Sequence, residues 1–130
     1  MKRTNHARDR HKRPPKGSEN QCSPFRVGQI VRLRAERRDD YIELHRKVWP
    51  EVLAMISACN ITNYSIFEFN GLLLSYFEYT GSDWKADMAK MQSDPVTQRW
   101  WALTNPCQEP VGVYSGPTPW ITMTEIFHHD

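Results

Sequence analysis

A chain of 130 residues and 15.3 kDa has material for one domain and not for two, so any active site is a single pocket or one shared with another copy. Hydrophobic residues at 39%, with 12% aromatic and 25% charged, describe a chain that can build a core, which excludes wholesale disorder. The net charge of +2 conceals a division: residues 1–25 carry Lys2, Arg3, Arg8, Arg10, Lys12, Arg13 and Lys16 against Asp9 and Glu19, a balance of +5, and the rest of the chain is at −3.

That opening segment also holds Pro14, Pro15, Gly17 and Pro24 and almost no large apolar side chains. It cannot bury enough surface to offset its ordering entropy, and it reads as a disordered basic tail, with the folded domain expected over residues 26–130. A basic run such as RDRHKRPPK also suits nuclear import or nonspecific phosphate binding, although solvated tails commonly carry such runs, and no nucleic-acid partner is expected. No apolar run approaches the roughly 18 residues of a membrane span, and the first 20 residues lack a secretory apolar stretch, so the expected compartment is cytoplasmic, without a membrane partner. Cys22, Cys59 and Cys107 are odd in number and widely spaced, which argues against a disulfide framework or a zinc knot.

In chain order, Gly28–Arg34 (GQIVRLR) has the β-branched character of a first strand. Asp39 or Asp40 is positioned to cap a helix in which Tyr41, Leu44, Val48, Val52, Met55 and Ile56 recur at helical spacing as far as about Cys59. Pro50 predicts a kink or a restart within it. NYSIFEF and LLLSYFEY flank Asn70-Gly71, the signature of a type I′ hairpin. Two short helices follow, one from Trp84 after a Ser82 or Asp83 cap and one opened by Asp94-Pro95 through Trp100 and Trp101. Asn105–Pro119 is rich in Pro and Gly and reads as loop, and Trp120–Phe127 (WITMTEIF) alternates as a closing strand.

Strand, helix, strand, strand, helix, strand is the order of an α+β split βαβ sandwich, with helices on one face of a four-stranded antiparallel sheet. The other face would expose some of Tyr64, Ile66, Phe67, Leu73, Tyr76 and Phe77, a patch too large for a comfortable monomer, which predicts a homodimer packed sheet to sheet. For chemistry, Tyr41, His45 and Trp49 fall at i, i+4 and i+8 and share one helical stripe: a phenol, an imidazole that exchanges protons near neutrality, and an indole. The stripe suits a neutral polyhydroxylated ligand; equally, Tyr41 and Trp49 can be core residues and His45 a satisfied core or rim histidine. Adjacent indoles at Trp100 and Trp101 point about 100° apart and cannot both face the same core, so at least one lines a cavity or an interface, the other reading being a core Trp beside a subunit-interface Trp. His128 and His129 at the chain end are read as incidental, not as a metal pair.

YIELHRKVWPE (Tyr41–Glu51), NYSIF (Asn63–Phe67), DPVTQRWW (Asp94–Trp101) and EIFH (Glu125–His128) together resemble the L-rhamnose mutarotase family, in its order and spacing across residues 26–130. The resemblance implies a ferredoxin-like topology assembled as a dimeric α/β barrel. It also implies an isomerase that exchanges the α and β anomers of L-rhamnose, or a closely related deoxysugar, without cofactor or metal. His45 would be the proton donor, with Tyr41, Tyr64, Trp100 and Trp101 around the sugar. The chain departs from the family pattern at Ala35–Arg38, in the tail, and in the stretch NPCQEPVGVYSGPTPW, which helps form the pocket mouth; anomer exchange therefore follows from the match more directly than the identity of the sugar. Two other classes use the same scaffold: a non-catalytic sugar-binding or regulatory protein, and another small cofactor-free enzyme.

Overall fold

Residues 25–113, 116 and 118–130 are described by a computed structural model; the basic tail reading of residues 1–25 falls, but for Phe25, outside them. Strand β1 (Phe25–Leu33) begins three residues before the expected start, and its period-two alternation buries Val27, Val31 and Leu33 on one face. A 3-10 turn over Ala35–Arg37 then leads into α1 (Arg38–Arg46). Neither Asp39 nor Asp40 caps this helix: both lie inside its first turn, where their charge favours the positive end of the helix dipole, and the cap position is Arg37 without a side-chain bond.

The long helix expected as far as Cys59 is two helices, the restart that Pro50 allows. After α1 the chain leaves helical geometry at Lys47–Trp49, and α2 (Pro50–Ala58) begins with Pro50, whose missing N–H is harmless at a first position. The Trp49 carbonyl takes the first bonds of the new helix, from the amides of Val52 at 3.0 Å and Leu53 at 3.1 Å. Trp49 is therefore not on the stripe of Tyr41 and His45, a correction that follows from the proline.

Strand β2 (Ile61–Phe69) and strand β3 (Leu72–Tyr79) form the anticipated hairpin, with Asn70 and Gly71 at φ of 51° and 76° as a type I′ turn requires. The ladder of β2 on β3 slips between Thr62 and Ser65, where Asn63 takes a φ of 50°. This bulge has a consequence for the site. Thr62 pairs with Glu78 and Ser65 with Tyr76, so Tyr64 stands beside Phe77, whose ring centroid is 5.5 Å away, and shares its face of the sheet.

Helix α3 (Trp84–Ser93) is capped by Asp83, whose carboxylate accepts from the Ala86 amide at 3.1 Å, and α4 (Pro95–Thr104) by Asp94, which accepts from the amide and the hydroxyl of Thr97 at 2.9 and 2.7 Å. A 3-10 turn over Asn105–Cys107 delivers β4 (Gln108–Glu109), a strand hidden from sequence by its two-residue length, onto Leu33 and Arg32 of β1. The closing strand expected over Trp120–Phe127 is reduced to β5 (Ile121–Thr122) beside Ile30 and Gln29. The chain then stays near β1 through one backbone hydrogen bond, from the Met123 N–H to the Gly28 carbonyl at 2.8 Å, and the Arg26–Glu125 ion pair, contacts too sparse for a ladder.

All pairings are antiparallel, and the order β2-β3-β1-β4, with β5 also on β1, is that of an α+β ferredoxin-like sheet. The covered face carries two apolar clusters, one of Val31, Leu33, Tyr41, Leu73 and Cys107, the other of Val27, Ile61, Phe77 and Tyr79 backed by Ile56, Met88 and Met91 from α2 and α3. On the opposite face, register aligns Phe67, Leu74 and Ile30 across three strands and Phe69 beside Leu72. Phe67 and Phe69 are 65% and 71% exposed. Of the residues expected there, Phe67 and Tyr76 lie on this open face, whereas Leu73 and Phe77 are buried on the helix side and Tyr64 and Ile66 line a cavity. None of the described helices is long and apolar enough to cross a membrane.

Candidate active site

Between the helices and the covered face of the sheet lies a cavity of about 650 Å³. Its wall includes Tyr41 and His45 from α1, Tyr64 from β2, and Trp100 and Trp101 from α4, so all five residues singled out from sequence meet in one space. Trp49 joins them indirectly, its ring 5.2 Å from that of Trp100 and near perpendicular to it. Trp100 is buried and Trp101 half-buried, and both border the same cavity, Trp100 from within the core.

His45 is the centre of this group. One helical turn after Tyr41, its Nδ1 lies 2.7 Å from the Tyr41 carbonyl oxygen, which can only accept, so Nδ1 carries the proton. Nε2 is then the nitrogen with a free lone pair. Burial lowers the imidazole's affinity for a second proton below its ordinary value of 6.5, and the bond to the Tyr41 carbonyl offsets part of that effect. The Trp100 ring stands edge-on at 5.4 Å and the Tyr41 ring lies tilted at 4.2 Å, holding the imidazole between an indole and a phenol.

Both phenols stay protonated at neutral pH. Burial drives the Tyr41 hydroxyl far above its usual range, a smaller push coming from Tyr64, while Gln108 opposes it by donating from Nε2 to Tyr41 Oη at 3.1 Å. Tyr64 is pushed up to about 12 by desolvation. A second hollow, of about 310 Å³, shares Tyr41, His45 and Ile66 with the main cavity and opens toward Arg46, Phe67 and Glu68.

Sequence reasoning missed the polar part of the wall, which includes Gln29, Thr97, Thr104, Gln108 and Thr122. Gln29 donates to the Thr122 hydroxyl at 3.2 Å, a pair that only strand register brings together. Gln108 lies in the Pro- and Gly-rich stretch, where nothing in the local pattern distinguishes it from loop. Among the described residues no group of three or more His, Cys, Asp and Glu is arranged to hold a metal ion.

A curled antiparallel sheet with helices on one face, enclosing a neutral imidazole among phenols and indoles, defines a small α+β protein whose cavity presents groups able to exchange protons and to hydrogen-bond an uncharged ligand. Comparison with known proteins makes this specific. The chain belongs to the L-rhamnose mutarotase family, whose model matches residues 26–129. It is 33% identical over 87 residues to an L-rhamnose mutarotase from Shouchella clausii, covering 65% of this chain and 81% of that one. An L-rhamnose mutarotase from Oceanobacillus iheyensis is 30% identical over 108 residues, 81% of this chain and 98% of the relative. Among solved structures, that of an L-rhamnose mutarotase from Formosa agariphila matches with a TM-score of 0.64 at 18% identity, over 82% of this chain and 99% of that one, a likeness of fold.

Proposed function

We propose that this protein is an isomerase that interconverts the α and β anomers of L-rhamnose, or of a closely related deoxysugar, with His45 as its acid–base residue. The observation that carries the reading is the neutral imidazole with a free Nε2, set in a cavity among Tyr41, Tyr64, Trp100 and Trp101, in a chain of this family. In the first half-reaction Nε2 takes the proton of the anomeric hydroxyl, C1–O5 breaks, and the electron pair of that bond goes to O5. The proton held on the imidazole is then delivered to O5, while the buried phenol of Tyr41, or that of Tyr64 at the cavity wall, donates a hydrogen bond to the developing charge. Rotation about C1–C2 turns the aldehyde, and the same steps in reverse close the ring on its other face. His45 thus accepts before it donates, a refinement of the donor role that the family resemblance implies.

One positioned acid–base group contributes about 10² to 10⁴ in rate, which is enough for a reaction that already proceeds in water. Indole faces stack on the C–H-rich face of a sugar and exclude water from the opening ring. The open sheet face, with Phe67, Phe69 and Leu74 exposed, supports a homodimer in which two sheets pack together to complete an α/β barrel.

Magnetisation exchange between the anomeric protons of L-rhamnose, recorded by NMR with and without protein, tests the reading. Acceleration is expected with the intact protein and not with His45→Ala. Exchange at the buffer rate with intact protein, for L-rhamnose, L-fucose and related deoxysugars alike, would overturn it.

A further inference from the structure

We propose that Gln108 reads the hydroxyl next to the anomeric carbon and so helps to set which sugar is turned over, an inference that rests on the anomer-exchange reading above. Gln108 is only 5% exposed, and β4 pins it opposite Leu33 of β1 while its side chain borders the main cavity. Its amide has two polar ends. Nε2 is engaged, donating to Tyr41 Oη at 3.1 Å, whereas Oε1 is buried and has no hydrogen-bond partner among the described residues. A buried acceptor without a donor destabilises the fold, and a small shift of this amide toward the cavity that Gln108 borders lets a ligand hydroxyl supply the donor.

The position of that donor on the sugar follows from the neighbours. Gln108 is one hydrogen bond from Tyr41, and the Tyr41 ring is 4.2 Å from that of His45. With the anomeric hydroxyl on His45, the ring oxygen has no proton to offer, so the nearest remaining O–H in a pyranose is the one on C2. The same amide thereby does two things: it holds Tyr41 through Nε2 and it accepts the 2-hydroxyl through Oε1.

The test compares exchange rates for L-rhamnose and its 2-deoxy counterpart, each divided by its uncatalysed rate, in the wild type, Gln108→Met and Gln108→Glu. The wild type is expected to prefer L-rhamnose in kcat/KM by about 10²-fold, the scale at which a lost partner for a buried polar group discriminates substrates. Gln108→Met, apolar and of similar length, is expected to bring the two sugars within about threefold by removing the acceptor. Gln108→Glu keeps an acceptor oxygen and is expected to retain the preference. Each ratio is taken within one sample, so a partly folded variant does not change it, and a merely structural Gln108 would lower both rates together. Equal acceleration of the two sugars by the wild type, or an unchanged preference in Gln108→Met, overturns the role of Gln108 and leaves anomer exchange standing. No acceleration of either sugar overturns the anomer-exchange reading and this inference with it.

Discussion

Taking the protein from about pH 8 to about pH 5 perturbs His45 before it reaches the phenols or most carboxylates. An imidazole with the ordinary value of 6.5 would be about 10% protonated one unit above it, and burial lowers the His45 value further, so Nε2 is free across the neutral range. If Nε2 must accept the anomeric proton, kcat/KM is flat from neutral pH upward. It falls tenfold for each unit below the His45 value, with a midpoint under 6.5. The sign for stability runs the same way. The unfolded chain takes up its proton near 6.5 and the native state only at lower pH. Stability is therefore indifferent to His45 above 6.5 and declines as pH drops from there toward the native value. Exchange spectroscopy on L-rhamnose gives the rate profile, and imidazole ¹⁵N shifts give the tautomer, expected with the proton on Nδ1 because the Tyr41 carbonyl lies 2.7 Å away. His45→Asn, which keeps a side-chain donor but loses the basic nitrogen, is expected to lower the rate by about 10² to 10⁴ with wild-type folding. A rate that rises as pH falls through 6.5, or a proton on Nε2 at neutral pH, would refute the acceptor-first assignment.

Trp100→Ala empties a core position that is 6% exposed and is expected to cost about 3–5 kcal/mol in urea unfolding, whereas Trp101→Ala costs less stability and chiefly weakens sugar binding in titration calorimetry. Asn63→Val forbids the left-handed geometry of the β2 bulge, where φ is 50°; about 1–2 kcal/mol of destabilisation and a weaker sugar affinity are expected, since Tyr64 depends on that bulge for its direction. An affinity equal to wild type would show that Tyr64 does not touch the ligand. Phe67→Asp places a charge on the open sheet face and is expected to convert a dimer to a monomer in sedimentation velocity; a wild-type protein that sediments as a monomer at tens of micromolar removes the case for sheet-to-sheet packing.

Local chemistry was sufficient for much of this protein. Asn70-Gly71 specifies its turn because two consecutive positive φ angles admit few other residues, and Asp83, Asp94 and Pro95 announce helix starts through bonds within three or four residues. The i, i+4 spacing of Tyr41 and His45 survives intact because α1 is unbroken between them. Tertiary structure decided the rest, because the causes lie far apart in the chain. Pro50 ended one helix and began another, moving Trp49 off the stripe, and only the return of α4 brings Trp100 back against both His45 and Trp49. Alternation counted from Ile61 would put Tyr64 on the open face of the sheet; the extra residue at Asn63 sets Ile61, Tyr64 and Ile66 on one side. The two-residue strand that carries Gln108 exists only because β1 offers a free edge 75 positions away, between Leu33 and Gln108, and the partner of its amide, Tyr41, is 67 residues distant. Side chains that act through neighbours close in sequence were legible there, while the polar wall of the cavity, built by register and by edge pairing, was set by the sheet.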